Sequence, residues 1–137
     1  MATTTRIFGK KDADAKIKTI AAATTLTDSD SGKVILLSAA AGKVVTLPSV
    51  AVKGFNVKVL LGAAFATTNF TVVSPTAKIQ GGAIVNSVYV PAVDENTISF
   101  VATAETVGDY VELVSDGTNY YVNGVGALAG SITFTAV

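Results

Sequence analysis

The sequence has no cysteine, no histidine and no tryptophan, and only 15% of its 137 residues are charged. Without cysteine the chain can form neither a disulfide framework nor a zinc–thiolate site, and it offers no thiol nucleophile. Without histidine it lacks the commonest general base and metal ligand at neutral pH, and a serine has no imidazole to activate it. Paired carboxylates for glycoside hydrolysis would lack the aromatic platforms of sugar sites. The sequence therefore predicts a protein that is not an enzyme, with no catalytic residues, no metal and no cofactor.

Basic and acidic side chains balance at ten each, but they are distributed unevenly along the chain. Residues 1–78 carry all ten basic and four of the acidic side chains, whereas the residues after Lys78 carry six acidic and no basic ones. Two interpretations stay open. The halves interleave in one domain and neutralise each other, or a basic arm or face meets an acidic face of a neighbouring copy. No nucleic-acid partner is expected, because the lysines are scattered singly and no aromatic residues interleave with them.

The apolar runs are short, and none has the length of a signal-peptide core or a membrane span. The longest run, Val59–Ala66, is interrupted by a glycine. We therefore expect a protein that is made in a cytoplasm, has no membrane partner, and either stays soluble or joins an assembly.

Short runs rich in valine and threonine alternate with glycine, proline and aspartate turns, a pattern typical of an all-β fold. The predicted strands are 33–37, 43–47, 55–61, 69–73, 77–80, 83–90, 97–102, 110–115, 118–123 and 131–136. We expect residues 25–137 to form one antiparallel β-sandwich or jelly-roll-like barrel. Residues 1–24 are predicted to be an extended N-terminal arm, with a short helix over 12–23 or a disordered terminus as alternatives.

One hairpin can be predicted in register, because Asp116-Gly117 separates two strand-like runs. Both residue types accept positive φ, which favours a two-residue turn. The resulting pairs are Ser115 with Thr118, Leu113 with Tyr120 and Val111 with Val122. The side chains of Val111, Leu113, Tyr120 and Val122 would face the core. Tyr110 and Tyr121 would then lie on the opposite face, exposed and available to a partner.

Three clusters of glycine or aspartate resemble ligand-binding motifs, but a structural role explains each of them better. Asp28–Gly32 has acidic residues at alternate positions before a glycine, as a calcium loop has, but its twelfth position is Ala39 instead of the required glutamate. A polar turn is the better interpretation. Gly81-Gly82 and Gly124–Gly126 precede no helical pattern, so they indicate bulges or tight turns and not phosphate-binding loops.

Two stretches resemble a module that recurs in virion proteins of tailed bacteriophages. The first is Thr25–Leu37, TLTDSDSGKVILL, followed by Gly42–Pro48, GKVVTLP. The second, Glu112–Val122, ELVSDGTNYYV, is similar to the hairpin that closes such modules, with Tyr120 where the family often has tryptophan. Together they bracket residues 25–123. The resemblance is to head decoration (cement) proteins and head fibres.

This resemblance implies a structural virion protein that binds the major capsid protein on the outer surface of the phage head as a homotrimer and stabilises the shell. The arm residues that would contact the shell or a neighbouring subunit are Arg6, Phe8, Lys10 and Lys11. One alternative is a receptor- or glycan-binding domain of a head or tail fibre, for which Tyr89, Tyr110 and Tyr121 are candidates. A bacterial structural or adhesive β-domain is a further alternative.

Overall fold

The computed structural model describes residues 13–49 and 51–137, which form two β-sheets packed against each other. Within these residues there are twelve strands, one 3-10 turn over Asp28–Asp30 and a single helical turn over residues 13–15. The strands are β1 (Ile17–Ile20), β2 (Thr24–Thr25), β3 (Val34–Leu37), β4 (Val44–Thr46), β5 (Asn56–Leu61), β6 (Phe70–Val73), β7 (Ile79–Val85), β8 (Val88–Glu95), β9 (Thr97–Phe100), β10 (Tyr110–Ser115), β11 (Tyr120–Gly126) and β12 (Ile132–Thr135). The predicted all-β sandwich is confirmed.

The larger sheet has the strand order β1-β3-β5-β10-β11-β7-β8, and the smaller sheet has the order β12-β9-β6-β4-β2. Both sheets are mixed, whereas the sequence predicted antiparallel ones. From β1 to β6 the chain alternates between the two sheets. Each strand therefore pairs with the previous strand of its own sheet and runs in the same direction. As a result β1, β3 and β5 are parallel, and so are β2, β4 and β6. The later strands supply the antiparallel pairs, such as β5 with β10 and β10 with β11.

The core lies between the sheets because alternate side chains of each strand point inward. β10 and β11 show this alternation along their whole length. The largest buried side chains are aromatic, and two pairs of them pack edge to face: Phe55 with Tyr120 at 6.3 Å and Phe65 with Phe70 at 5.1 Å between ring centroids. Burial raises the pKa of Tyr120, and the negative charge of Asp28 adds to the increase.

The β10–β11 hairpin has a four-residue turn, so the predicted two-residue turn was wrong. The observed pairs are Ser115 with Tyr120, Leu113 with Val122 and Val111 with Gly124. The Asp116 carboxylate explains the longer turn, since it accepts hydrogen bonds from the backbone N–H groups of Thr118 and Asn119, both at 2.8 Å. Of Asp116 and Gly117, the two residues expected to form the turn, only Gly117 has a positive φ, at 96°. The register shifts by two residues, so the side chains predicted for the core still face it.

The described part of the predicted arm, residues 13–24, belongs largely to the sandwich. β1 is an edge strand of the larger sheet and pairs in parallel with β3. Its last residue, Ile20, is only 1% exposed. The sandwich therefore begins no later than Ile17. The predicted contact residues Arg6, Phe8, Lys10 and Lys11 lie outside the described residues.

The glycine pairs lie within strands, where they permit close approaches. β7 has a register shift at Gly81, whose φ is 114°, as the bulge interpretation requires. The Tyr89 ring lies against Gly82, and its hydroxyl donates a hydrogen bond to the Gly81 carbonyl at 2.8 Å. On β11, a Cβ atom at Gly124 would overlap the carbonyl oxygen of Tyr110 on the neighbouring strand.

Candidate interaction surface

The outer face of the larger sheet, where side chains point away from the core, carries a row of cross-strand neighbours that is apolar except at its β1 end. Cross-strand pairing aligns one residue from each of the seven strands. In strand order these residues are Thr19, Leu36, Leu60, Tyr110, Val125, Ile84 and Tyr89. We call them the apolar row. At about 4.8 Å between strands, the row is about 29 Å long.

The apolar row is most exposed on the β8 side of the sheet. Tyr89 is 58% exposed, and Ile84 and Val125 are 44% and 43% exposed. Leu36 and Leu60, towards the β1 side, are half-buried. Val93 extends the apolar surface at the β8 edge, where it is 66% exposed. A contiguous exposed surface of this kind is typical of an interaction site, whereas isolated exposed apolar residues are ordinary.

A second row, next to the apolar row, places two opposite charges at the centre of the face. Lys58 and Glu112 are cross-strand neighbours on β5 and β10. The Lys58 ammonium lies 4.4 Å from the centroid of the Tyr110 ring, a cation–π contact. In the described part of the chain, the salt bridges involve Asp30 and not Glu112. Lys58 and Glu112 therefore lie side by side without forming an ion pair.

The charged pair lines a shallow depression of about 220 Å³ in the outer face. Asn56 and Asn123 also line it, together with Val114 of a third row. The Asn56 amide donates to the Gly54 carbonyl at 3.0 Å. The depression thus combines amide, carboxylate and ammonium groups beside apolar side chains.

The predicted partner residues Tyr110 and Tyr121 both lie on this outer face. Tyr121 is 43% exposed, and its hydroxyl donates to the Asp116 carboxylate at 3.1 Å. Backbone hydrogen bonds from Asn119 and Thr118, and then the Tyr121 hydroxyl, hold the pKa of Asp116 below its ordinary value. Tyr110 is half-buried beneath Lys58.

Sequence reasoning did not identify the aliphatic members of this surface. Their signal lies in strands whose side chains are apolar on both faces, such as Val34–Leu37. Alternation predicts polar residues on a solvated face, so a continuous apolar run in a strand indicates that both faces become covered. In β3 and β5 the inward side chains are buried in the core. The outward apolar side chains are only half-buried in a single copy of the chain.

The outer face of the smaller sheet is different in character. Its outward positions are mostly hydroxyl residues in cross-strand register: Thr25, Thr46, Thr71, Thr97, Ser99, Thr133 and Thr135. The apolar exceptions among the strand residues of this face are Val44, at 44% exposure, and the half-buried Val73. The two outer faces therefore differ, and the apolar one is the stronger candidate for an interface.

A buried carboxylate fixes β1 to the rest of the sandwich. Asp30, 2% exposed, accepts hydrogen bonds from the Lys18 ammonium at 3.1 and 3.2 Å and from the Lys33 ammonium at 3.1 Å. It also accepts one from the Thr27 N–H at 2.9 Å. Burial acts to raise the pKa of Asp30, but these hydrogen bonds together outweigh it and hold the pKa below 3.8. This carboxylate explains the Asp28–Gly32 motif as a structural turn.

In the described residues, no three acidic side chains come together in a way that could hold a metal ion. The same residues include no helix with the length and apolarity needed to cross a membrane. No protein-family model, curated protein or solved structure matches the chain.

Proposed function

We propose that the chain is a non-enzymatic structural protein of a tailed-bacteriophage virion, a decoration protein that binds the outer head surface as a homotrimer. The observation that carries the proposal is the apolar row, which crosses all seven strands of the larger sheet. Such a face supports a protein that works while covered by other protein subunits. The resemblance of residues 25–48 and 112–122 to phage virion modules favours a phage head as the assembly to which the chain belongs.

The two stretches that carry the resemblance have structural roles in this fold. Residues 25–37 contain Asp30, which joins β1 to the sandwich through two lysines. Residues 112–122 contain Asp116, which orders the β10–β11 turn. Both motifs therefore stabilise the sandwich. The surface that would bind the shell is formed by other residues.

Decoration would stabilise a shell through many weak contacts. Each trimer bridges neighbouring capsid subunits, and simultaneous contacts at one trimer raise the effective concentration of the remaining ones. Repetition over a closed shell then opposes its expansion without requiring any single tight site.

The test is reconstitution of phage heads that lack this protein. Purified chain added to such heads should co-sediment with them up to a saturating ratio, and decorated heads should rupture at a higher temperature than bare ones. Absence of binding at micromolar concentrations, with folded protein, would overturn the proposal. The arm is tested by deleting residues 1–12, because a deletion through residue 20 would also remove β1. Unchanged binding of the shorter deletion would remove the arm from the interface.

A second candidate is a glycan-binding fibre domain, favoured by the three tyrosines and the polar depression on one face. Tyr110 and Tyr121 lie on the strands of Glu112 and Asn123, which line the depression, and Tyr89 lies on the same face at the β8 edge. Aromatic faces and planar polar groups are the usual partners of sugar rings. A glycan array followed by titration of Tyr121→Ala tests it, with Tyr121→Phe as the control that keeps the ring.

A further inference from the structure

We propose that three copies of the chain pack with the outer faces of their larger sheets turned towards a common three-fold axis. The inference rests on the proposed trimer and names the face that forms it. The occupant of the apolar face is thus a second copy of this chain, and the capsid contacts a different part of the surface.

The strand order places a large aromatic side chain at the centre of the face, as this arrangement requires. β10 is the fourth of seven strands, so Tyr110 lies at the middle of the apolar row. Seven strands make a sheet about 34 Å wide, and three such sheets forming a triangle lie about 10 Å from its axis. A tyrosine side chain extends about 6 Å, so the three Tyr110 rings would fill much of the central column.

The edges of the face would meet at the corners of the triangle. There β1 of one copy, with Thr19, lies beside β8 of the next, with Tyr89. Both strands are edges of the larger sheet, and both side chains are exposed on its outer face. Tyr89 and Val93, the most exposed apolar side chains of this face, would be covered at these corners.

The charges at the centre are complementary in a three-fold arrangement. Each copy contributes one Lys58 and one Glu112 in the row beside Tyr110. Three copies therefore surround the axis with a neutral ring of three ammonium and three carboxylate groups, in which each can pair with a neighbouring copy. Of the charges along the chain, only Lys58 and Glu112 in this ring are therefore assigned to complementarity between copies.

In a closed ring each copy makes two corner contacts, whereas a dimer held by one corner would have only one. A sheet about 34 Å wide and five residues, or about 17 Å, high offers roughly 570 Å² per copy. A closed ring of three copies buries roughly 1,700 Å² in total over its three contacts, so each contact alone buries roughly 570 Å², well below the roughly 1,200 Å² of a stable two-partner interface. We therefore expect monomers and trimers in solution, with little dimer.

Engineered cysteines test this arrangement cleanly, because the chain has none of its own. Thr19→Cys and Tyr89→Cys sit at opposite ends of the apolar row. The double variant, treated with a short bis-maleimide, should give a covalent trimer, and each single variant should stay uncross-linked. The matched control is Val44→Cys with Thr133→Cys, at opposite ends of a row on the smaller sheet, which should give no cross-links.

The outcomes separate this inference from the proposed function. A covalent dimer would overturn the three-fold arrangement in favour of two faces packed against each other. A trimer in sedimentation that the cysteine pair fails to cross-link would overturn the choice of face while leaving the proposed trimer intact. Val125→Asp, at an exposed position, should weaken trimer formation at least tenfold without changing the circular dichroism of the monomer. Unchanged trimer formation by this variant would also contradict the inference, and head binding, measured separately, tests the proposed function.

Discussion

Replacing Asp30 by asparagine tests the idea that one buried carboxylate joins β1 to the sandwich. Asp30→Asn keeps the shape and an oxygen that can accept the Thr27 N–H, but it removes the negative charge between Lys18 and Lys33. A hydrogen bond to a charged group contributes about 1.5–3 kcal/mol. Both lysine side chains are about one third exposed, at 34% and 29%, so solvent screening reduces each contribution to about 1 kcal/mol. We expect Asp30→Asn to lower the free energy of unfolding by about 2 kcal/mol.

Two further variants divide this loss into its parts. Asp30→Ala also removes the acceptor of the Thr27 N–H, which adds about 1 kcal/mol, for about 3 kcal/mol in total. Lys18→Met and Lys33→Met should each cost about 1 kcal/mol in the wild-type background and almost nothing in the Asp30→Asn background. Urea denaturation followed by circular dichroism measures all of these. A loss below about 0.5 kcal/mol for Asp30→Asn, roughly a tenth of the stability of a marginally stable domain, would show that the Asp30 carboxylate does not hold β1 in place.

The pH dependence of the same variants gives an independent check. The folded pKa of Asp30 lies below its ordinary value of 3.8, so the carboxylate stabilises the fold above that pH. This stabilisation is lost as the pH falls through the lowered, folded pKa. The difference in stability between wild type and Asp30→Asn should therefore be constant near neutral pH and shrink below about pH 4. A difference that grows on acidification would contradict the assignment.

Three other changes have expected outcomes. Gly124→Ala places a Cβ against the backbone of Tyr110 and should cost about 1–3 kcal/mol by urea denaturation, whereas Gly54→Ala, where nothing lies nearby, should show only the cost of its positive φ. Tyr120→Phe loses a long hydrogen bond to the Pro48 carbonyl, at 3.4 Å, and should cost at most about 1 kcal/mol, whereas Tyr120→Ala should cost about 3–5 kcal/mol; equal losses would contradict the assignment of its stability to packing. Deleting residues 1–12 should leave the thermal midpoint nearly unchanged, whereas deleting residues 1–20 removes Ile20 and Lys18 and should lower it by several degrees; equal midpoints would show that β1 contributes nothing.

Most strands could be predicted from the sequence because their bounds are local signals. β3 to β6 and β9 to β12 fall close to the predicted ranges. Runs of apolar and β-branched residues mark these strands, and proline, glycine or aspartate follows β4, β5, β6 and β10 within two residues. β1 could not be predicted, because its inward Lys18 is neutralised by Asp30, which lies twelve residues further along the chain. β2 is only two residues long and has no periodicity to detect.

Topology and register depended on contacts that composition does not reveal. The parallel pairs arise because the chain alternates between sheets, which is decided by packing and not by any one segment. The hairpin register changed because the Asp116 side chain competes with the two-residue turn for backbone N–H groups. The face of Tyr110 and Tyr121 was predictable, since an even shift in register keeps alternation intact.

The most direct measurement for the central claim is electron cryomicroscopy of the phage heads after the purified chain has been added. We expect additional density on the outer surface, in which three β-sandwiches surround a three-fold axis with their larger sheets facing inward and Tyr110 near the axis. Heads without additional density, from a sample in which the chain is folded and in excess, would contradict the proposed role as a decoration protein.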